Sequence, residues 1–296
     1  MAKKRRRSKK RQNTSLLTAA IAAIAVLWGI YTQGGQTVNP QTSPATSSSA
    51  SSSQTVSKAQ TAGKVYGGLA QSDYRKLAQL NFKSGGKSYV YVNGNHSTLV
   101  KNAWQVNRVI YSNLDSLNRT SSSNTGFLEK RNVANDSLRV RQYIQPTGWH
   151  YNSRNGTQLY NRGHLIAYSV SAGIDQDGNY NPKNQSGDQN NPKNLFTQSA
   201  YSNQKIQTIF ESKVRTALRQ NKKVIYQATP IFRGQELMAR GINLQAVATD
   251  GSLDFNVYLF NVQPGYAFDY ATGRAKVDRS LTVNDGFELN SKANLH

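Results

Sequence analysis

Leu159-Tyr160-Asn161-Arg162-Gly163-His164-Leu165 and, after a polar stretch rich in Asn, Gly and Asp, Asn191-Pro192-Lys193-Asn194-Leu195-Phe196 decide how this chain is read. Each run reads as a short strand, and an amphipathic helix follows the second. The helix is expected over about Ser199 to Gln220, where Ile206, Phe210, Val214 and Leu218 recur every four residues with Ile209 and Ala217 filling the stripe. A neighbouring face carries Asn203, Gln207, Glu211 and Arg215 at the same spacing. Such a row reads simply as a solvated face with a Glu211–Arg215 ion pair, unless the residues before the helix give it work to do. The front segment offers that work. His164 ends the first strand, and imidazole is the side chain that is both neutral and basic near pH 7.

The order strand, loop, strand, helix, with one histidine at the front and an asparagine at the helix start, resembles the DNA/RNA non-specific endonucleases of the ββα-metal group. Within that group it is similar to the membrane-anchored DNA-entry nucleases of Gram-positive bacteria. The family signature is Asp-Arg-Gly-His, and it stands here as Asn161-Arg162-Gly163-His164. The likeness continues through Asn191-Pro192-Lys193-Asn194, Gln198-Ser199-Ala200-Tyr201-Ser202-Asn203-Gln204 and Phe210-Glu211, covering roughly Gly148 to Val262. By this resemblance His164 is the general base and Asn203 the single protein ligand of a divalent ion, Mg²⁺ with Mn²⁺ as the alternative. Glu211 lies on the order of 12 Å further along the helix axis than Asn203, too far for both to bind one ion directly, so an outer role through water is expected of it. Arg162 and Asn194 complete the expected catalytic set, and Arg215, Lys193 and Lys213 are expected to bind substrate.

The activity implied is metal-dependent endonucleolytic hydrolysis of DNA, and of RNA as an alternative substrate, leaving 5′-phosphate and 3′-hydroxyl ends. A site that touches mainly phosphate has little sequence preference. The reading set against this one is a surface nucleic-acid-binding protein with a weakened site, for which Asn161 in place of Asp would be the trace. Asn-Pro-Lys-Asn also occurs at Asn181 to Asn184; only the second copy precedes the Asn203 helix, so the first is read as loop. His150 is read as structurally hydrogen-bonded, and Asn93-Gly94-Asn95-His96 as a turn.

Outward from this core, Ser72 to Leu80 reads as a short helix with Ser72 as N-cap, and Lys87 to Val92 as a strand ending at Asn93-Gly94. Lys223 to Phe232, Ile242 to Ala248 and Leu253 to Val262 read as strands, the last two joined by Asp250-Gly251, which suits a tight hairpin. The fold class expected is α+β: a ββα-metal nuclease core with a central antiparallel sheet flanked by helices, over residues 62–296. One transmembrane helix and a disordered linker are expected before it.

Residues 1–13 form a basic leader, and Thr14 to Tyr31 is an uncharged run of 18 residues, about 27 Å as a helix and close to the thickness of a bilayer core. It reads as a signal anchor; a cleaved signal peptide is the alternative, but no Ala-x-Ala site follows closely. The positive-inside bias keeps the leader cytoplasmic and places the rest outside the cell, at the membrane or secreted if the anchor is cleaved. Residues 32–61 are Ser- and Thr-rich and too poor in large apolar groups to fold alone, and they read as a tether. Lys and Arg number 37 against 15 Asp and Glu, a net charge of +22, and the eight cations of the first twelve residues leave +14 for the remainder. That remainder suits a polyanion. Zero cysteines exclude disulfides, thiolate metal sites and a cysteine nucleophile, and four histidines argue against a histidine-rich metal cluster. No obligate protein partner is expected.

Overall fold

The computed structural model describes residues 65–286 except 152 and 155. The leader, the candidate anchor and the tether lie outside the described residues, among which no helix is long and apolar enough to cross a membrane.

The first described helix, α1 (Gln71–Ala78), begins one residue earlier than expected. Its N-cap is Ala70, and no side chain caps it, so Ser72 lies inside the helix. The strands that follow are β1 (Tyr89–Tyr91), β2 (Arg108–Ile110) and β3 (Asn124–Leu128). Next come the short β4 (Ser153–Arg154) and β5 (Thr157–Gln158), then β6 (Tyr160–His164) and β7 (Leu195–Ser199). After α2 (Thr208–Arg219) the chain adds β8 (Val224–Ile231), β9 (Gly241–Ala248), β10 (Asp254–Phe260), β11 (Tyr266–Asp269) and β12 (Arg274–Val277).

Six strands make one antiparallel sheet in the order β1-β10-β9-β8-β3-β2. The turn between β9 and β10 contains Asp250 and Gly251, and Gly251 takes φ +77°, which glycine adopts without strain. Pro230 sits in β8 beyond Ala228, the last residue paired with β3, so it interrupts no ladder on that side. One sheet face is covered by the apolar stripe of α2, where Phe210, Val214 and Leu218 join Leu165, Ile166, Leu244 and Phe255 in the main core. On another part of the sheet, Leu77 and Ala78 of α1 pack with Ile231, Tyr258 and Phe260. The α+β class and the central antiparallel sheet therefore stand.

Two readings of the helix are corrected. Ser199 closes β7, so no helix starts there, and residues Ser202–Gln207 form a π-helical turn before α2 begins at Thr208. The apolar stripe is indifferent to this change, because Ile206 and Phe210 are buried in either case. The polar row is not, since the wider turn buries Gln207 completely. In addition, Arg215 donates to Ser169 and Ser212 (3.0 and 2.6 Å) and forms no ion pair with Glu211.

Candidate active site

β6 and β7 pair antiparallel, from Tyr160 opposite Ser199 to His164 opposite Leu195, and the π turn and α2 follow directly. This ββα unit lines a polar cleft of about 540 Å³ onto which Arg162, His164, Asn203 and Glu211 all open. Gly163 permits the pairing to be close: a Cβ there would meet Gln198 Oε1 at 2.2 Å and the Phe196 ring at 2.9 Å. The glycine of the signature thus makes room for a buried carboxamide.

His164 is half-buried, with Nε2 3.3 Å from the main-chain oxygen of Gln189 and 3.2 Å from the carboxamide nitrogen of Gln142. Gln142 Nε2 donates to the same Gln189 oxygen at 3.3 Å, so with the His164 proton on Nε2 both N–H groups converge on that carbonyl and the Nδ1 lone pair is left available. Burial pushes the His164 pKa down to about 4, the Gln189 contact opposes that shift, and the Arg139 cation adds to it. The ring is therefore neutral near pH 7, as a proton acceptor must be.

Glu211 is held by Gln207, whose Nε2 donates to its Oε1 at 2.7 Å and to the main-chain oxygen of His164 at 3.0 Å. Burial raises the Glu211 pKa, while the Gln207 bond and the charges of Arg215 and Arg139 lower it. Asn203 donates to Gln198 Oε1 and accepts from Asn161 Nδ2, both at 2.9 Å.

Arg162 reaches the cleft but is already engaged. Its Nε donates to the carbonyl of Ile144, and its guanidinium lies 4.4 Å from the centre of the Trp149 ring. Asn194 does not reach the cleft. It is fully buried and clamps Ile166, accepting from its N–H at 2.9 Å and donating to its carbonyl at 3.0 Å. Lys193, Lys213 and Arg215 also lie outside the cleft lining. Lys213 sits in a separate shallow hollow beside Ser252 and Leu253. His150 donates from Nε2 to the Thr272 carbonyl at 2.8 Å, and His96 pairs with Asp254 at 3.0 Å.

The cation that sequence reasoning missed is Arg139. It lines the cleft with its side chain 62 % exposed, lies 4.6 Å from the Tyr168 ring centre, and acts electrostatically on both His164 and Glu211. Its segment is held by side chains doing the work of a neighbouring strand. Gln189 bonds Leu138 O and Val140 N, and Asn190 bonds Arg141 O and Tyr143 N, at 3.0–3.1 Å. Residues 135–146 carry no periodic pattern, so nothing in their composition marked them.

Among the described residues no group of three or more His, Asp or Glu could hold a metal ion. The cleft instead offers the Asn203 oxygen and the Glu211 carboxylate, whose Oε2 takes no hydrogen bond from the described residues. That set suits a hard cation that keeps most of its waters, as Mg²⁺ does.

A family model described as DNA/RNA non-specific endonuclease matches residues 97–249, just over half of the chain. The chain belongs to the DNA/RNA non-specific endonuclease family. Among solved structures it is similar to NucA from Streptococcus agalactiae with magnesium ion bound, at 30 % identity and a TM-score of 0.57, covering 70 % of this chain and 95 % of that one. The same protein with no metal bound matches at 31 % identity and a TM-score of 0.55, covering 71 % and 98 %. A deoxyribonuclease of Streptococcus dysgalactiae subsp. equisimilis is 30 % identical over 80 residues, 26 % of this chain and 24 % of that protein. The aligned part is thus about a quarter of that relative. The family match spans β6, β7 and α2, the elements that build the cleft.

Proposed function

We propose that this chain is a metal-dependent, sequence-non-specific endonuclease that hydrolyses DNA, and RNA as well, to 5′-phosphate ends, with His164 as general base. The observation that carries this reading is that His164, Asn203 and Glu211 open on one cleft while their other polar atoms are tied together behind it. Asn203 would hold the divalent cation, and Glu211 would orient it through water. Mg²⁺ is favoured by the oxygen donor set and by the magnesium bound to the NucA relative. When bound, the cation supplies Lewis-acid stabilisation of the negative charge that develops on phosphate and leaving oxygen.

The protein's own part is acid–base and electrostatic. Nδ1 of neutral His164 takes the proton of the attacking water, and the Gln189 carbonyl holds the ring by its Nε2–H. The phosphate takes up negative charge as water adds, and the exposed Arg139 guanidinium at the cleft rim, paired through Nε with Asp136 at 3.3 Å, still has its terminal N–H groups to offer. The cleft offers charge and carboxamides, which suits recognition of backbone. The net positive charge of the chain after its leader favours nucleic acid as partner. The leader and the uncharged run after it support a single-pass membrane anchor with the nuclease outside the cell.

The test is plasmid DNA with purified full-length chain and Mg²⁺, with and without chelator. Cleavage is expected in Mg²⁺ alone, and His164→Ala should lose it by at least about 100-fold. Plasmid retarded but left intact by the wild type would overturn the reading in favour of a binding protein.

A further inference from the structure

Along the wall of the cleft the five side chains from Asn161 to Glu211 stand in single file, and at the outer end Gln158 Nε2 donates to Asn161 Oδ1 (2.7 Å), which leaves the Asn161 amide nitrogen turned toward Asn203. Asn161 Nδ2 donates to Asn203 Oδ1 (2.9 Å), Asn203 Nδ2 to Gln198 Oε1 (2.9 Å), Gln198 Nε2 to Gln207 Oε1 (2.9 Å) and Gln207 Nε2 to Glu211 Oε1 (2.7 Å). A carboxamide has a donor end and an acceptor end, so each member could in principle be turned around. The end of the file removes that freedom. Gln207 Nε2 also meets the main-chain oxygen of His164 at 3.0 Å, and a carbonyl can only accept. Gln207 must therefore show its nitrogen to His164 and its oxygen to Gln198. Gln198 answers with its nitrogen and shows its oxygen to Asn203, which in turn donates Nδ2 and turns Oδ1 toward position 161. Gln198 and Gln207 are fully buried, and Gln198 is pressed against Gly163, so neither can swing out to escape the sequence of matches.

The file thus arrives at position 161 with an oxygen, and a donor is needed there. This is the position at which the chain has Asn where the family signature has Asp. We propose that Asn161 is a positioning residue: its amide holds Asn203 Oδ1 as the cleft-facing oxygen of the metal site and gives that oxygen a donor when no cation is bound. The inference rests on the reading of Asn203 as the metal ligand. One lone pair of Oδ1 receives the Asn161 N–H, and the other is left for a cation. An aspartate at 161 would set acceptor against acceptor. Those oxygens repel with nothing between them and attract a cation placed between them. Asn161 accordingly stabilises the cation-free site and weakens its hold on a cation relative to Asp.

Two readouts on the full-length chain in detergent decide this: Mn²⁺ binding followed by the electron-paramagnetic-resonance signal of free Mn²⁺, and thermal unfolding in chelator. Asn161→Asp should bind Mn²⁺ about tenfold more tightly, yet unfold at a lower temperature in chelator, with the deficit closing when Mn²⁺ is restored. A residue with a merely structural role would lower the unfolding temperature without tightening Mn²⁺. Unchanged Mn²⁺ affinity, or an unfolding temperature in chelator that holds or rises, overturns the inference, because Asn203 would then have turned its nitrogen to position 161. Asn203→Ala separates the two levels. If it retains wild-type Mn²⁺ affinity, the ligand reading itself fails and the inference with it; if it loses Mn²⁺ while Asn161→Asp gains nothing, the inference alone fails.

Discussion

The tetrapeptide Asn-Pro-Lys-Asn occurs twice, ten residues apart, and the two copies begin alike and end differently. Asn181 and Asn191 each accept from the main-chain N–H two residues on, Lys183 and Lys193, at 3.0 Å. Asn184 and Asn194 each donate their own N–H back to the first carbonyl, at 3.0 and 2.9 Å. Local chemistry therefore makes the same turn in both places. The last side chain then diverges. Asn184 is half-buried, gives one bond to the Ile174 carbonyl at 2.8 Å and accepts one from the nearby Ser186 hydroxyl at 3.3 Å, whereas Asn194 is fully buried and clamps both polar groups of Ile166. Since Ile166 lies two residues after His164, the second copy braces the strand end that carries the proposed base. Sequence dictates the turn, and the neighbour it meets dictates its use.

That contrast can be broken by mutation. Asn194→Ala strips the partners from two buried main-chain groups, and urea unfolding should show a loss of about 2–4 kcal/mol, with activity falling as the His164 segment loosens. Asn184→Ala removes two partly exposed contacts, to the Ile174 carbonyl and the Ser186 hydroxyl, and should cost about 1 kcal/mol with activity kept. Equal losses from the two variants would mean that the copies are equivalent after all.

A smaller effect sharpens the same contrast through pH. His164, held beside the Gln189 carbonyl just ahead of the second copy, has its pKa lowered to about 4 against 6.5 for an unperturbed histidine. Between those values the unfolded chain binds a proton that the folded site refuses. This contribution to stability is complete above pH 6.5 and is lost as pH falls toward about 4. The acid limb of activity follows the folded value, so the rate should decline as pH drops through about 4, and a limb centred near 6.5 in a pH–rate profile would contradict the burial argument.

Much of the fold was legible because the sheet is built from plain signals: short strand-like runs rich in apolar residues at β8 to β10, Asp250-Gly251 at the turn, and the Ile206 to Leu218 stripe. The π turn over Ser202–Gln207 was not, since apolar residues four apart fit a core equally well in a helix with one wider turn. Of the expected site residues, His164, Arg162, Asn203 and Glu211 open on the cleft, and Asn194, Lys193, Lys213 and Arg215 do not. The difference is physical. Residues on β6 and at the start of the helix are aimed by ladder and register, whereas a charge within a motif says nothing of the direction in which its long side chain points. Arg139 and Gln142 stand on a segment held in place by Gln189 and Asn190, about fifty residues further along the chain, and that support exists only once the chain has folded.

The central claim is that His164 acts as a base and not as a brace, and chemical rescue tests it most directly. His164→Gly leaves an open place in the cleft where free imidazole can stand in for the missing ring. The account predicts that the variant is folded, that its plasmid cleavage in Mg²⁺ is lower by at least about 100-fold, and that added imidazole restores part of it in a pH-dependent way. A folded variant that cleaves at the wild-type rate, or one that imidazole leaves inert at every pH, would contradict it.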